Sequence, residues 1–449
     1  MSGVQLFVDE GLGHSSYVVD LGDGTAAIVD PPRFPAEHVR CAGARSLEPR
    51  WTIDTHSHAD YVTGSPSLAT DERITFVAPA AARLDTPHLA ITDEQRIDVG
   101  TGVTLRAIAT PGHTPDHHVF VLERDGSPAA LFSGGSLMVG AVGRTDLCGP
   151  DLAEPLAHEM FHSLRRLDGL PDDLAVYPTH GAGSFCSAPG GSDRTTTLGR
   201  ERATNTLFRI DDEDTFVEQL LAGFGSFPTY FAWLPELNRR GPRHYPAVPR
   251  LDRLDVDTVE RHVAAGALIV DARPIAEYSA GHIPGSISNA QRPVFASWLG
   301  WITDLNRPIL LVAAADQARD EIVRQSLDIG HESIVGEVDG GLDAWRAAGR
   351  VIAGIPLVDP SEIVSTVIDV RQRSEYETGH VPGAINIELG SLAHSQVPDG
   401  PLTVMCGHGE RAMTGASMLT ARGHRDVTVL DGGPDTWAEW SGQPLTAGR

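Results

Sequence analysis

Cys406 has the clearest chemical setting in the chain. The apolar run PLTVMC ends on it and CGHGERAM leads into the helical stretch MTGASMLTARG, so the thiol falls at a strand-to-helix turn. Free backbone N–H groups and the positive end of a helix dipole meet at such a turn. Both lower a thiol pKa and make the thiolate a nucleophile near neutral pH. Gly407 and Gly409 permit a tight loop, and Arg411 is placed to pair with an anionic group. A second constellation is a set of histidine motifs, THSHADY (55–61), PGHTPDHH (111–118) and YPTHGAG (177–183). Side chains two apart at the end of a strand point the same way. His56 and His58 so placed, with His113 from another loop, could offer three neutral nitrogens to one divalent metal.

The cysteine loop is set in a repeat. DARPIAEYSAGHIPGSISN (271–289) matches DVRQRSEYETGHVPGAINI (369–387), and VDGGLDAW (338–345) matches LDGGPDTW (430–437), in the same order. Each copy alternates apolar strands (ALIVDAR and PILLVAA; TVIDVR and PLTVMC) with helical stretches, the pattern of an α/β domain around a mainly parallel sheet. The first copy has Ala313 where the second has Cys406, and no glycine loop follows it. The residues that both keep, Asp271/Asp369, Arg273/Arg371 and His282/His380, therefore read as scaffold, and the cysteine loop reads as chemistry.

The histidine motifs lie in a different kind of segment. HSSYVVDL and TAAIVDP flank a GDG turn, ITFVAP and VTLRAIA follow, HHVFVLE and PAALFS flank an RDG turn, and LAVYP runs into THGAGS. Asp151 with Glu154 resembles a capping box, opening a helix that carries Leu152, Leu156, Met160, Leu164 and Leu167 at helical spacing. Strands in two groups with helices outside predict a sandwich of sheets covered by helices. The Pro- and Arg-rich stretch 238–250 reads as a linker, which divides the chain into 1–247, 250–352 and 355–449.

Composition narrows the function classes. The 449 residues are enough for about two to four domains. All 35 basic residues are arginine, and 60 acidic residues bring the net charge to −25. Such a surface repels phosphate backbones, so broad nucleic-acid or anionic-membrane binding is not expected. The N-terminus has no basic stretch before an apolar one, and no apolar run reaches membrane-spanning length, so a cytoplasmic protein is expected. Cys41, Cys148, Cys186 and Cys406 form no C-x-x-C pair, which argues against a disulfide framework or a cysteine-rich zinc site.

D-x-R, G-H-[IV]-P-G-[AS], a six-residue loop opening with cysteine and D-G-G-x-x-x-W resemble rhodanese sulfurtransferase domains. The resemblance implies that Cys406 carries a persulfide while sulfur passes from donor to acceptor. Gly407, His408, Gly409 and Glu410, with Arg411, would hold the anionic donor, and the first copy would have lost catalysis. The N-terminal motifs, with GAVGRTDL (140–147) and LPELNRRG (234–241), resemble the metallo-β-lactamase fold in the branch of glyoxalase II and the persulfide dioxygenases. The whole would then be an α/β and α+β multidomain chain, a metallo-β-lactamase αββα sandwich followed by two rhodanese-like α/β domains.

Carried over by motif, a first metal site is His56, His58 and His113, and a second uses Asp60, the residue after it and His180. Tyr61 stands where the pattern has histidine, and Gly135 where it has the bridging aspartate. One metal is therefore expected, Fe(II) with zinc as the alternative. Arg144 would bind carboxylates of a thiol cosubstrate. The resemblance implies oxidation of low-molecular-weight thiol persulfides, with Cys406 moving persulfide sulfur to or from sulfite and thiosulfate. A zinc-dependent thioester hydrolase of glyoxalase II type, or a metal-poor scaffold beside a working rhodanese, are the alternatives. The thiol carrier and a homo-oligomeric state stay open.

Overall fold

The computed structural model describes residues 3–186, 193–363 and 366–448. The chain forms two compact units, Met1–Ala247 with Leu327–Gly330, and Val248–Ser326 with His331–Arg449. Among the described residues no helix is long and apolar enough to cross a membrane.

The first unit is built on two six-stranded sheets. In one, the strands follow chain order, Val4–Asp9, His14–Asp20, Thr25–Val29, Glu48–Ile53, Thr75–Pro79 and Leu89–Ile91. In the other the order is Thr196–Thr197, Ala175–Pro178, Ser127–Gly134, His118–Arg124, Val103–Ala109 and Arg96–Gly100. Period-2 alternation decides which face each residue takes. Leu105, Ala107, Phe120, Leu122 and Phe132 join Tyr17, Val19, Ala27 and Val29 in a core between the sheets. Ile108, Val119, Val121 and Leu131 turn to the other side, against helix α1 (Pro150–Arg165). Val18, Ala26 and Ile28 pack outward on Ala42, Leu47 and Leu68. The result is the αββα sandwich.

Helix α1 buries Leu156, Ala157, Met160, Phe161 and Leu164, and each of the four larger side chains contributes about 2 kcal/mol. Its start differs from the expected capping box. Gly149, at φ 107°, is the N-cap, Pro150 opens the first turn, and no side chain caps it. Proline's fixed φ suits that position, which moves Asp151 one step into the helix, where its charge still meets the dipole. Leu152 is left exposed.

The second unit holds two five-stranded parallel sheets with one topology. The first runs Arg253–Leu254, Ile334–Val338, Ile309–Val312, Leu268–Asp271, Ile287–Ser288. The second runs Leu357–Val358, Val427–Leu430, Leu402–Met405, Thr366–Asp369, Ile385–Asn386. Helix α2 (Phe295–Ile302), FASWLGWI, is apolar nearly all round, and such a helix must be covered on every side. Gly390 of the second repeat lets it in: a Cβ there would lie 2.0 Å from the Trp301 ring. Ser288 N–H donates to Ser417 Oγ at 3.1 Å, on helix α3 (Glu410–Ala421).

Candidate metal centre and sulfur-transfer loop

His56 and His58 lie beyond the end of the Glu48–Ile53 strand, in a loop, so the alternation that would aim them together does not apply. Their partners differ. His56 Nδ1 meets Thr55 Oγ1 at 2.8 Å, and that hydroxyl donates to Asp30 Oδ2 at 2.9 Å. His56 Nε2 faces His180 Nε2 at 3.3 Å. His58 Nε2 instead turns to Asp30 Oδ1 at 3.2 Å. His113 Nδ1 donates to the Arg144 carbonyl at 2.8 Å, which leaves its Nε2 a free lone pair.

The donor atoms of His56, His113 and His180 lie within 4.8 Å of one another, as do those of His58, Asp60 and His180. Of the expected first trio His56, His58 and His113, the structure brings His56 and His113 together with His180, and His58 together with Asp60 and His180. Asp60 Oδ2 stands 3.0 Å from His180 Nδ1, a carboxylate that orients the ring. Burial, reinforced by neighbouring rings, holds His56 well below the usual histidine range and His113 at about 3. Burial opposes charge on His58 too, but Asp30, Asp54 and Asp60 outweigh it and raise its pKa. The same cluster thus lowers the pKa of two rings and raises that of a third.

A divalent ion fits this donor set. Two neutral Nε2 atoms facing each other at 3.3 Å match the spacing of imidazole nitrogens about 2.1 Å from a shared tetrahedral ion. The missing aspartate also has a steric reason. A Cβ on Gly135 would lie 2.2 Å from His113 Cδ2, and one on Gly143 would lie 2.6 Å from His113 Nδ1. The His113 ring fills the space that a carboxylate at position 135 would need. Tyr61 stacks between His14 (3.8 Å) and His58 (4.4 Å) as a wall of the site.

The flanking residues hold the loops. Asp116 accepts from Ser57 N–H and Oγ–H, each at 2.8 Å. His117 Nε2 accepts from Gly135 N–H at 2.9 Å. Arg144, expected to meet a cosubstrate carboxylate, is buried; it grips Asp146 at 2.6 and 2.7 Å and donates to the Phe185 and Gly225 carbonyls. Its guanidinium braces the loop that positions His113. A cavity of about 700 Å³, lined by Ser57, Ala59, Thr114, Asp116, Phe227 and Arg239 among others, opens beside these loops.

Cys406 follows the Leu402–Met405 strand and is buried, with its Sγ accepting from Gly409 N–H at 3.1 Å. Gly409, at φ 100°, is the N-cap of α3, a conformation that glycine takes without strain. The D-G-G motif closes the loop from below: a Cβ on Gly433 would lie 2.3 Å from the Gly407 carbonyl oxygen. His408 is exposed, and Gly407 and Glu410 are half-buried. Arg411 does not point freely at a donor. It makes a two-pronged pair with Glu375 at 2.6 and 2.7 Å, and its guanidinium lies over the Trp298 ring, 5.4 Å from the centroid. Glu375 belongs to the Glu-Tyr pair that both repeats keep, a signal read as scaffold alone.

Comparison with known proteins agrees with this geometry. The rhodanese-like domain family matches residues 255–348 and 357–439. The hydroxyacylglutathione hydrolase of Tolumonas auensis is 33% identical over 168 residues, 37% of this chain and 61% of that protein. The Methylococcus capsulatus enzyme of that name is 32% identical over 161 residues, 35% of this chain and 58% of that protein. The chain thus spans about three fifths of the length of these relatives. A metallo-β-lactamase structure from Staphylococcus aureus subsp. aureus COL superposes with a TM-score of 0.64 at 28% identity, covering 75% of this chain and 98% of that one. The chain is a fusion: a metallo-β-lactamase fold at the N-terminus and two rhodanese domains in the C-terminal half. Both halves are enzyme folds, one of the glyoxalase II-like hydrolase type and one of the rhodanese type.

Proposed function

We propose that the chain is a persulfide-processing enzyme, in which one metal held by His56, His113 and His180 and one thiol, Cys406, act on the same class of sulfur compound. The observation that carries this reading is the imidazole trio His56, His113 and His180, with Gly135 and Tyr61 in place of the aspartate and histidine of a dinuclear pattern, in one chain with a cysteine whose Sγ accepts from the N-cap N–H of α3. Bound Fe(II), or Zn(II) as the alternative, would supply open coordination positions, which for iron serve dioxygen and a persulfide together. The net reaction is RSSH + O2 + H2O → RSH + SO3²⁻ + 2 H⁺. The protein's part is to keep His56 and His113 neutral, to orient His180 through Asp60, and to admit a small thiol persulfide through the cavity beside Ser57 and Thr114.

At Cys406, the thiolate attacks the outer sulfur of thiosulfate. A new S–S bond forms, the old one breaks, and sulfite leaves with its electron pair. Gly409 N–H and the α3 dipole stabilise the negative sulfur in both the free and persulfide forms. Run in reverse, the Cys406 persulfide passes its outer sulfur to sulfite.

A second reading is thioester hydrolysis, favoured by the 33% identity of the N-terminal half to a hydroxyacylglutathione hydrolase. Oxygen uptake by iron-loaded protein given glutathione persulfide, set against hydrolysis of S-lactoylglutathione, decides between them. Uptake that yields sulfite and disappears in His113→Ala supports the first reading; hydrolysis without uptake replaces it with the second. Metal content tests the ligand set directly. His180→Ala is expected to lose most bound metal, whereas His58→Ala is expected to keep it.

A further inference from the structure

The charges of the second repeat's own loop do not suit a dianionic donor. Arg411 is matched oxygen for oxygen by Glu375, so its charge is cancelled where it stands. Glu410, in the first turn of α3, then leaves a negative charge beside the Cys406 loop. A sulfur donor such as thiosulfate would approach a thiolate and a carboxylate with the loop's own Arg411 already paired.

The missing cation comes from the other repeat. Arg292 lies in the turn before α2, fixed by Phe295 N–H donating to the Arg292 carbonyl at 3.0 Å and by Asn289 Nδ2 donating to the Phe295 carbonyl at 3.0 Å. Its Nη1 stands 3.7 Å from Glu410 Oε2, too long for a hydrogen bond, and its side chain is 27% exposed. Its buried Nε has no hydrogen-bond partner. Burial lowers its pKa and Arg411 adds to that, while Glu410 and Cys406 act in the opposite direction. The first repeat meets the cysteine loop directly, since a Cβ on Gly409 would lie 2.9 Å from Ile275 Cδ1. A guanidinium with an unpartnered Nε, beside the first turn of the helix that follows the cysteine loop, has the planar fork that sulfonate and sulfite oxygens fit.

We infer that Arg292, from the repeat that has no nucleophile, is the anion-binding residue of the Cys406 site and selects oxyanionic sulfur donors and acceptors. The repeat with Ala313 is then retained because it completes the active site of its neighbour through the turn before α2. This inference rests on the reading of Cys406 as the sulfur-carrying thiol. It differs from that reading in placing the donor's charge on a residue outside the catalytic loop.

The test is run on the full chain in two parts. In the first, Cys406 is alkylated with iodoacetate and with iodoacetamide, and the modified Cys406 peptide is quantified by mass spectrometry. The anionic and neutral reagents differ in charge at nearly equal size, so their rate ratio reads the local cation without any turnover. Arg292→Gln is expected to lower the iodoacetate-to-iodoacetamide ratio about fivefold, and Arg292→Lys to keep most of it. In the second, Arg292→Gln raises KM for thiosulfate about tenfold with kcat changed less than about twofold, and Arg292→Lys restores only part of it because the fork is lost. An unchanged ratio and an unchanged KM in a folded Arg292→Gln protein overturn the inference. Should that variant not fold, Arg292→Met keeps the packing of the stem and answers the same question. A wild-type protein that takes no sulfur from thiosulfate would remove the sulfur-transfer reading, and the alkylation ratio would still decide on Arg292.

Discussion

Arg273 and Arg371 occupy equivalent places in the two rhodanese repeats and make the same bonds. Each grips the aspartate two residues before it, Asp271 at 2.6 Å and Asp369 at 2.7 Å, and each donates to a glycine carbonyl, Gly281 at 2.9 Å and Gly379 at 2.8 Å. His282 and His380 each meet a tyrosine carbonyl at 2.9 Å and stack on the same tyrosine at 3.9 and 3.7 Å. The loops after the central strands differ. In the first repeat Gln317 accepts from Ala314 N–H at 2.7 Å and donates to the Ala272 carbonyl at 2.6 Å, while Arg319 donates to the Gln317 carbonyl at 2.7 Å. Those side chains, with Arg273 and Glu277, line a cavity of about 910 Å³ that has Ala313 where a thiol would stand. In the second, Gly409 N–H is aimed at a sulfur. One framework thus supports two loops, one braced by glutamine and arginine side chains and one wrapped around a thiol, that differ in about six residues of roughly 100.

The comparison breaks most sharply at the nucleophile. Cys406→Ser should lower thiosulfate sulfurtransfer about a thousandfold or more, and Ala313→Cys in that background should restore none of it. Recovery of activity by the second change would mean that the first loop, braced by Gln317 and Arg319, can still present a thiol. The shared scaffold is tested next. Asp271→Asn and Asp369→Asn each leave a buried arginine without its charge partner, and each should destabilise by about 3 kcal/mol, read by denaturant unfolding. A large effect in one repeat only would show that the matching bonds have unequal weight.

Gly409→Ala should reduce kcat about tenfold. It places a side chain at φ 100° with a Cβ 2.9 Å from Ile275 Cδ1 and pulls the N–H off the sulfur. The smallest effect is on acid stability. Burial would raise the Glu375 carboxyl, but Arg411 outweighs it and holds it below the ordinary range. A carboxyl depressed in the folded state adds stability above its unfolded pKa, and that stability is lost as pH falls through the folded value. Wild-type protein should therefore lose more stability than Glu375→Gln as pH drops below about 4.5, measured by thermal melting across that window.

Much of the fold was legible because its signals are local. Apolar runs beside turn signals predicted the strands Val103–Ala109 and His118–Arg124, and a self-match across 271–289 and 369–387 predicted a duplicated α/β domain. The cysteine loop was legible for the same reason, since strand, glycines and helix are contiguous. The start of α1 was not, because Asp151 and Glu154 satisfy a capping spacing although the helix is capped two residues earlier, at Gly149. His180 against His58 was not legible either. Both are histidines in strong motifs, and only the loop that carries His56 past its strand decides which ring faces it.

By itself the sequence determined where the reactive types lie: which repeat has a thiol, which motifs hold imidazoles, and which residues both repeats need to fold. Local spacing and composition are enough for that. Tertiary structure alone decided which charges remain available. Arg411, just after Cys406, and Arg144, in the GAVGRTDL motif, are held by Glu375 and Asp146, while Arg292, about 114 residues before Cys406, stands 3.7 Å from Glu410 with its Nε unpartnered. An ion pair forms with whatever group the fold brings within a few ångströms, and that distance is set by the packing of helices and sheets rather than by position along the chain.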